Sequence, residues 1–177
     1  MKIGAQFFTL RDFCTNTDDF AETLKKVADI GYTTVQISGT CAYDPKWLKE
    51  QLDQNGLSCV LTHIPRERLI ADAAAVAHDH DVFGCQYVGL GSNVFDPQNG
   101  EASLKEFETT FGAVAKTLKE NGKLFMYHNH AHEFAKYDGK VFLRHVAERM
   151  PSDLVGFTLD TYWCRWVAAT LRGGWNF

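Results

Sequence analysis

Residues 124–134 read L-F-M-Y-H-N-H-A-H-E-F, an apolar run followed by three histidines and a glutamate within six positions. An apolar run of this length is typical of a buried strand. Because side chains alternate along a strand, His128 and His130 are predicted to point to the same side, with His132 and Glu133 just past the strand end. Imidazole and carboxylate groups gathered there can bind a metal or move protons. The alternative, a polar surface loop, is disfavoured by the apolar residues that come before it.

The composition is that of a globular protein with one domain. The chain has 177 residues, of which 45% are hydrophobic and 23% are charged, and its net charge is −4. Acidic and basic residues are interspersed, so no basic stripe predicts a nucleic-acid partner. The apolar runs are too short to span a membrane, and the N-terminus lacks the apolar region of a signal peptide. Five scattered cysteines indicate reduced thiols and a cytoplasmic location.

Short apolar segments alternate with amphipathic helical patterns along the chain. The predicted strands cover residues 3–10, 33–38, 58–64, 86–90, 124–130 and 155–160. The segments between them carry helix caps and 3.6-residue periodicity, including an alanine-rich helix at about residues 67–80. Gly31 is predicted to end the first helix, and Asp44 with Pro45 to begin the second. The helix predicted over 104–121 places on one face the side chains expected to be core, which are Phe107, Phe111, Val114 and Leu118. With no hairpin signal between the strands, six βα units predict a parallel sheet with crossover helices. Either an open doubly wound sheet or a (β/α)₈ barrel fits, and a complete barrel needs roughly 70 more residues.

Polar side chains follow the predicted strands at the ends where sites form in parallel α/β folds. They do so after the first, second, third, fifth and sixth strands, which favours an enzyme over a chance distribution. The residues are Arg11, Gln36, His63, the segment from His128 to Glu133, Asp160, Tyr162 and Trp163.

Several of these and other polar residues have simpler explanations. Residues 78–81 (H-D-H-D) are predicted to be a solvated helix end, and residues 89–92 (G-L-G-S) to be an ordinary loop. Asp160 could merely cap the turn that follows it. Tyr162 and Trp163 fit core packing as well as stacking against a sugar.

Four segments in order resemble one enzyme family. The segments are M-K-I-G-A-Q-F-F-T-L-R-D at the start, S-C-V-L-T-H-I at 58–64, M-Y-H-N-H-A-H-E-F at 126–134 and V-G-F-T-L-D-T-Y-W at 155–163. Together they resemble the sugar phosphate isomerase/epimerase family, the xylose isomerase-like TIM barrels. The resemblance covers residues 1–163 and implies a barrel that holds a divalent metal ion.

The resemblance also implies roles for individual residues. Asp160 matches the aspartate ligand after the sixth strand of the family. The ligand after the fifth strand is either Glu133 or His128, and His63 matches a histidine that faces the same pocket. Trp163 stands where related nucleases carry a further metal-binding histidine, which favours the sugar-converting branch over a phosphodiester-cleaving nuclease.

The last fourteen residues, C-R-W-V-A-A-T-L-R-G-G-W-N-F at 164–177, do not resemble the family. The family continues to a strand with H-x-K-D and then to a strand with a glutamate, and both carry metal ligands. We expect residues 164–177 to be a tail produced by truncation or a frameshift, which leaves an incomplete barrel of about six βα units.

The function that these observations predict is a metal-dependent isomerase or epimerase of a small sugar, which abstracts a proton next to a carbonyl. A mixed imidazole and carboxylate site suits Mn²⁺, Mg²⁺, Co²⁺ or Zn²⁺. A keto-sugar or keto-inositol dehydratase and an inactive barrel fragment are the alternatives. The predicted roles are catalysis by His128, His130 and Glu133, metal binding by Glu133, Asp160 and His128, and substrate binding by His63, Gln36, Tyr162 and Trp163.

Overall fold

The computed structural model of the chain describes residues 3–172. Residues 173–177 of the predicted tail lie outside these residues. The boundary predicted between 163 and 164 falls inside a helix, which runs from Thr161 to Arg172. Within the described residues, no helix is long and apolar enough to cross a membrane.

Six parallel strands form the main sheet. They are β1 (Gly4–Gln6), β2 (Thr34–Ile37), β3 (Ser58–His63), β4 (Tyr87–Leu90), β5 (Leu124–His128) and β8 (Val155–Thr158). Their order across the sheet is β1-β2-β3-β4-β5-β8, which is the order along the chain. A doubly wound sheet reverses its strand order at a switch point, whereas a barrel does not. The strand order is therefore that of a barrel and excludes the doubly wound sheet.

Helices connect these strands, and a last helix follows β8. They are α1 (Thr17–Ile30), α2 (Pro45–Gln54), α3 (Arg66–Ala71), α4 (Ala73–Val82), α5 (Gly100–Glu120), α6 (Phe142–Arg149) and α7 (Thr161–Arg172). The predicted caps of the first two are confirmed. Gly31 ends α1 with φ of 109°, and the Asp44 carboxylate accepts the backbone N–H of Lys46 ahead of α2.

Two clusters of buried apolar side chains hold the helices on the sheet. One contains α5 and β5, and its aromatic rings pack in sequence: Phe107 lies 4.9 Å from Phe111 and 5.2 Å from Tyr127 between ring centroids. The other joins α1 and α2 to the first three strands around Phe20 and Val35. The helical face predicted to be core, which carries Phe107, Phe111, Val114 and Leu118, is buried throughout.

The barrel is not closed within residues 3–172, because β1 and β8 are both edges of the sheet. Apolar side chains are exposed near both edges. Ile3 and Ile30 lie near β1, at 67% and 74% exposed, and Leu159 follows β8 at 60%. The incomplete barrel of six βα units that the sequence predicts is therefore observed.

Two predicted elements are shorter than expected. The strand predicted over 3–10 ends at Gln6, and a 3₁₀ helix (Phe7–Phe13) follows. The Gln6 side chain accepts the N–H of Thr9, and the Thr9 hydroxyl donates to the Gln6 carbonyl, so local side-chain bonds compete with the sheet. The helix predicted over 67–80 breaks at Asp72, whose carboxylate accepts the N–H of Ala75 and starts α4.

The observation that the sequence carries no hairpin signal was wrong, because one hairpin lies between β5 and β8. Strands β6 (Lys136–Tyr137) and β7 (Lys140–Val141) pair antiparallel. Asp138 and Gly139 join them with φ of 46° and 75°, the left-handed conformation of a two-residue hairpin turn. The Asp-Gly pair is the sequence signal for this turn, but the strands beside it are too short to show alternation.

The hairpin packs on the first residue of α5, and this contact can be tested with a matched pair of glycines. A Cβ at Gly100 would collide with the ring of Tyr137, which stacks on Phe142, whereas a Cβ at Gly112 in the same helix meets nothing. We expect Gly100→Ala to lower the free energy of unfolding by about 1–3 kcal/mol. Gly112→Ala should raise it by about 0.5–1 kcal/mol. Urea denaturation measures both, and equal effects would contradict the packing described.

Candidate active site

A cavity of about 380 Å³ opens at the carboxyl ends of the strands. The main chain brings side chains from separate parts of the sequence to this edge, because all six strands run in the same direction. The polar side chains that line the cavity are those of Gln6, Ser38, His63, Arg66, Ser92, His128 and His130. Three imidazoles in one wall make it suited to proton transfer or metal binding.

His63 is held at both ring nitrogens. The Gln36 amide nitrogen lies 3.0 Å from its Nε2, and the Ser38 hydroxyl lies 3.1 Å from its Nδ1. Because an amide nitrogen only donates, Nε2 accepts and the proton sits on Nδ1. Burial, with a smaller effect of His128 and His130, lowers the pKa of His63 to about 3. His63 is therefore a neutral part of the wall, with no free nitrogen for a metal.

His128 ends β5 and faces His63 on one side and His130 on the other, with ring centroids 5.0 Å and 4.8 Å away. Its Nε2 lies 3.8 Å from Oδ2 of Asp160, which follows the neighbouring strand β8. Burial and then His130 lower the pKa of His128, while the Asp160 and Glu133 carboxylates oppose this shift. His128 is thus a neutral imidazole beside a carboxylate, which is the arrangement of a general base.

Glu133 is fully buried, and three groups of its own segment contact its carboxylate. The Tyr127 hydroxyl donates to Oε1 at 2.6 Å, the His130 N–H donates to Oε2 at 2.7 Å, and His132 Nε2 lies 3.1 Å from Oε1. Burial raises the pKa of Glu133, but the contacts with His132, Tyr127 and His130 outweigh it and the net shift is downward. The contact with Glu133 in turn raises the pKa of His132.

The loop after β4 closes over this segment through Asn93. Its backbone carbonyl lies 2.9 Å from His132 Nε2 and accepts the Tyr127 hydroxyl at 3.4 Å. Its side-chain oxygen accepts Arg66 Nη1 at 2.6 Å. Asn93 was not predicted as a site residue, because it lies 39 positions before His132 in the sequence.

The Asp160 carboxylate contacts both the start of α7 and the ring of His128. Its Oδ1 accepts the N–H of Tyr162 and caps α7, as the simpler explanation proposed, while its Oδ2 faces His128. Asn129, which follows the neighbouring parallel strand β5, holds Asp160 in place, since its side-chain oxygen accepts the Asp160 N–H at 2.9 Å. The ring centroids of Trp163 and His130 are 5.7 Å apart, whereas the Tyr162 side chain is exposed at the surface of α7.

Solved structures with this architecture were found by comparison of folds. A sugar phosphate isomerase/epimerase from Parabacteroides distasonis superposes with a TM-score of 0.79 at 21% identity, over 94% of this chain and 68% of that one. An AP endonuclease of family 2 from Brucella melitensis gives 0.70 at 16% identity, over 92% and 69%. A D-psicose 3-epimerase from Clostridium cellulolyticum, solved with D-tagatose, gives 0.68 at 14%, over 93% and 65%.

The chain has the xylose isomerase-like TIM-barrel fold. No protein-family model and no curated protein matches its sequence. At these identities the likeness establishes the fold of the barrel and leaves its reaction to be argued from the site.

The barrel brings most of the predicted site residues to one edge. His63, His128 and His130 line the cavity, with Asp160 and Trp163 beside them and Gln36 behind His63. The predicted metal ligands are divided between two neighbouring groups. Asp160 faces His128, whereas Glu133 groups with His130 and His132, all three offering a ligand atom within 4.8 Å of the others.

Several cavity residues were not predicted from the sequence. Gln6, Phe8 and Ser38 line the cavity at the ends of the first two strands. Ser38 ends the second predicted strand, but an uncharged side chain alone is weak evidence for a site. Gln6 gave no such signal, because the first strand was predicted to continue to residue 10.

His80, outside the site, corrects the prediction that residues 78–81 are all solvated. It is 1% exposed, and its ring nitrogens lie 2.7 Å from the Thr62 hydroxyl and 2.7 Å from the Val76 carbonyl. Burial lowers the pKa of His80 to about 4, whereas His78, two residues earlier on α4, is exposed.

Stability should therefore fall as the pH falls below about 6.5, the ordinary pKa of histidine. Between that value and about 4 the unfolded chain binds a proton at His80 that the folded chain does not, so the free energy of unfolding rises with pH. We expect urea denaturation at pH 5 and pH 8 to show that His80→Gln removes roughly 1–2 kcal/mol of this dependence. His78→Gln is the matched control, and an equal effect of both substitutions would refute the role of His80.

Proposed function

We propose that this barrel is a sugar isomerase or epimerase that moves a proton next to a carbonyl group. The observation that carries the proposal is the continuous row of imidazole and carboxylate groups from His63 through His128 to Asp160 along the carboxyl ends of the strands. The fold shared with a sugar phosphate isomerase/epimerase and a D-psicose 3-epimerase supports it.

His128 is the group that takes the proton in this proposal. It is neutral because burial lowers its pKa, and Asp160 lies close enough to stabilise the imidazolium that forms. His130, whose pKa burial also lowers, is the second acid/base group. Once it has taken a proton from solvent, it gives that proton to the substrate, and His128 then releases to solvent the proton it removed. A proton delivered to the neighbouring carbon gives isomerisation, and a proton delivered to the opposite face of the same carbon gives epimerisation.

The walls of the cavity suit a small polyol. Gln6 uses its side-chain oxygen to accept the Thr9 N–H, so its amide N–H groups remain available to donate to substrate hydroxyls. Phe8 presents a half-exposed ring to the same cavity, and Trp163 flanks His130. Aromatic faces beside hydrogen-bond donors are typical of sugar sites.

The donors at this edge fit a divalent ion. His130 Nδ1 is buried and lacks a hydrogen-bond partner among the described residues, and mixed imidazole and carboxylate donors suit Mn²⁺, Co²⁺ or Zn²⁺. His128, Glu133 and Asp160 are the residues predicted to hold the ion. When bound, it polarises the carbonyl and hydroxyl oxygens and stabilises the charge that develops on them.

We also propose that residues 1–163 are the barrel part of the protein and that 164–177 are the non-family tail. The helix that continues from Thr161 to Arg172 then starts with barrel residues and ends with tail residues.

The function can be tested by deuterium exchange. The chain is incubated with D-tagatose or D-fructose and Mn²⁺ in D₂O, and proton NMR follows the loss of signal next to the carbonyl. We expect exchange in the wild type, and His128→Asn should slow it by about 10²–10⁴-fold, the usual contribution of a general acid or base.

Asp160→Asn should also slow the exchange, because the imidazolium of His128 loses its partner. Asp153→Asn, which removes an exposed carboxylate paired with Lys119, is the matched control and should leave the rate unchanged. Formation of a dehydrated product would identify the chain as a lyase instead. A folded wild-type chain that exchanges no proton in any ketose would contradict the proposal.

A further inference from the structure

Two cysteines meet behind the wall of the cavity, where the 3₁₀ helix (Phe7–Phe13) lies beside the loop after β2. Cys14 directly follows the 3₁₀ helix, and Cys41 lies in that loop. The Cys41 backbone N–H donates to the Cys14 carbonyl oxygen at 2.7 Å. A backbone hydrogen bond of this kind places the two Cα atoms roughly 5–6 Å apart, which is within the range of disulfide-bonded cysteines.

The two side chains share one environment, and both thiols are free. Cys14 is buried in the apolar cluster around Phe20, and Cys41 packs against the same cluster. Burial raises the pKa of Cys14, the Thr23 hydroxyl opposes this shift, and Cys41 and Asp19 add to it. The thiol of Cys41 is thus close enough to affect that of Cys14, so the side chains are neighbours as well as the backbones.

The two thiols differ in their access to small molecules. Cys14 is 1% exposed, whereas Cys41 is half-buried and lines a side cavity of about 380 Å³. Ser38, Gly39 and His63 line both this side cavity and the cavity of the candidate active site. A small oxidant that enters at this edge of the barrel therefore reaches Cys41 first.

We propose that Cys41 and Cys14 are a reversible modification site, at which a peroxide forms a disulfide bond between the two thiols. An accessible cysteine beside a second cysteine that resolves it is the usual arrangement of a peroxide-sensitive pair. The site goes beyond the proposed function, because no step of the proton transfer uses a thiol.

The reaction balances with one molecule of peroxide. The Cys41 thiolate attacks one peroxide oxygen, so that an S–O bond forms, the O–O bond breaks and the first water leaves, with Cys41 as a sulfenic acid. The Cys14 sulfur then attacks the Cys41 sulfur, so that the S–S bond forms, the S–O bond breaks and the second water leaves. Each sulfur gives up one electron, and the two thiol protons end in the two waters.

The first step is expected to be slow near neutral pH. Burial is the main cause that raises the pKa of Cys41, and only the thiolate is the nucleophile. The pair therefore suits a response to sustained oxidation, and the test runs over hours.

The disulfide would join two walls of the cavity covalently. Phe8 belongs to the 3₁₀ helix that ends beside Cys14, and Gly39 lies two residues before Cys41. These walls already touch, because a Cβ at Gly39 would lie 2.8 Å from the Phe8 ring. Oxidation would fix their spacing, and the cross-link would stabilise the fold by restricting the unfolded chain.

The test is peroxide treatment of the folded 177-residue chain, followed by peptide mapping. The chain is incubated with hydrogen peroxide at pH 8, and the remaining thiols are alkylated under denaturing conditions. Mass spectrometry then identifies linked cysteines, since trypsin places each of the five cysteines in a different peptide. Cys41→Ser is the decisive variant, and Cys164→Ser, which also alters a half-buried cysteine, is the matched control. Circular dichroism confirms that each variant is folded.

We expect the wild type to lose two of its five thiols and to yield one linked pair of peptides, which contain Cys14 and Cys41. Dithiothreitol should restore both thiols. Cys41→Ser should yield no linked pair, whereas Cys164→Ser should yield the same pair as the wild type. Oxidation should raise the melting temperature of the wild type by roughly 5–10 °C and leave that of Cys41→Ser unchanged.

Three results would overturn the proposal. One is a folded wild-type chain that keeps its thiols under a treatment that oxidises the same chain in urea. Another is a different linked pair, above all Cys59 with Cys85, whose thiols interact but are only 4% and 1% exposed. The third is oxidation of Cys41 to a sulfinic acid without a link, which would show that Cys14 does not reach it. None of these results depends on sugar turnover.

Discussion

A carboxylate with no exposed surface must be hydrogen-bonded or neutralised, and this requirement at Glu133 organises the whole functional edge of the barrel. Its partners are the hydroxyl of Tyr127, the backbone N–H of His130 and the ring of His132. Satisfying one buried charge therefore fixes the strand end at Tyr127, the backbone of the turn at His130 and the imidazole of His132 at the same time. The low local dielectric strengthens each of these bonds and would penalise the loss of any of them.

The fold brings the functional side chains together from separate parts of the sequence. Parallel strands that follow one another across the sheet carry their last residues to a single edge, and helices fill the opposite side with apolar side chains. Loops at that edge are then free to provide function. His63 comes from the third strand, His128 from the fifth and Asp160 from just after β8, yet each is within contact distance of the next. His63 and His128 end strands β3 and β5 inside the sheet, whereas Asp160 follows the edge strand β8.

The sequence predicted those parts of the structure that depend on local chemistry. The cap at Asp44, the end of α1 at Gly31 and the buried face of α5 follow from residue type and spacing. The early end of β1 was missed because a side-chain bond of Gln6 competes with strand pairing. Asn93 could not be predicted at all, since its contact with His132 depends on how two loops meet after folding. Residue types identified His132 as part of the cluster, but only the geometry pairs it with Glu133 rather than with solvent.

The dependence of the site on Glu133 is measured most directly by a double-mutant cycle between Tyr127→Phe and Glu133→Gln, followed by urea denaturation at pH 7. If the buried carboxylate and the hydroxyl act as one unit, the two substitutions together should cost less than the sum of their separate effects. The coupling energy should be about 1–3 kcal/mol, within the range of residues in direct contact. Additive effects, within about 0.5 kcal/mol, would show that Glu133 does not organise this segment and would contradict the account.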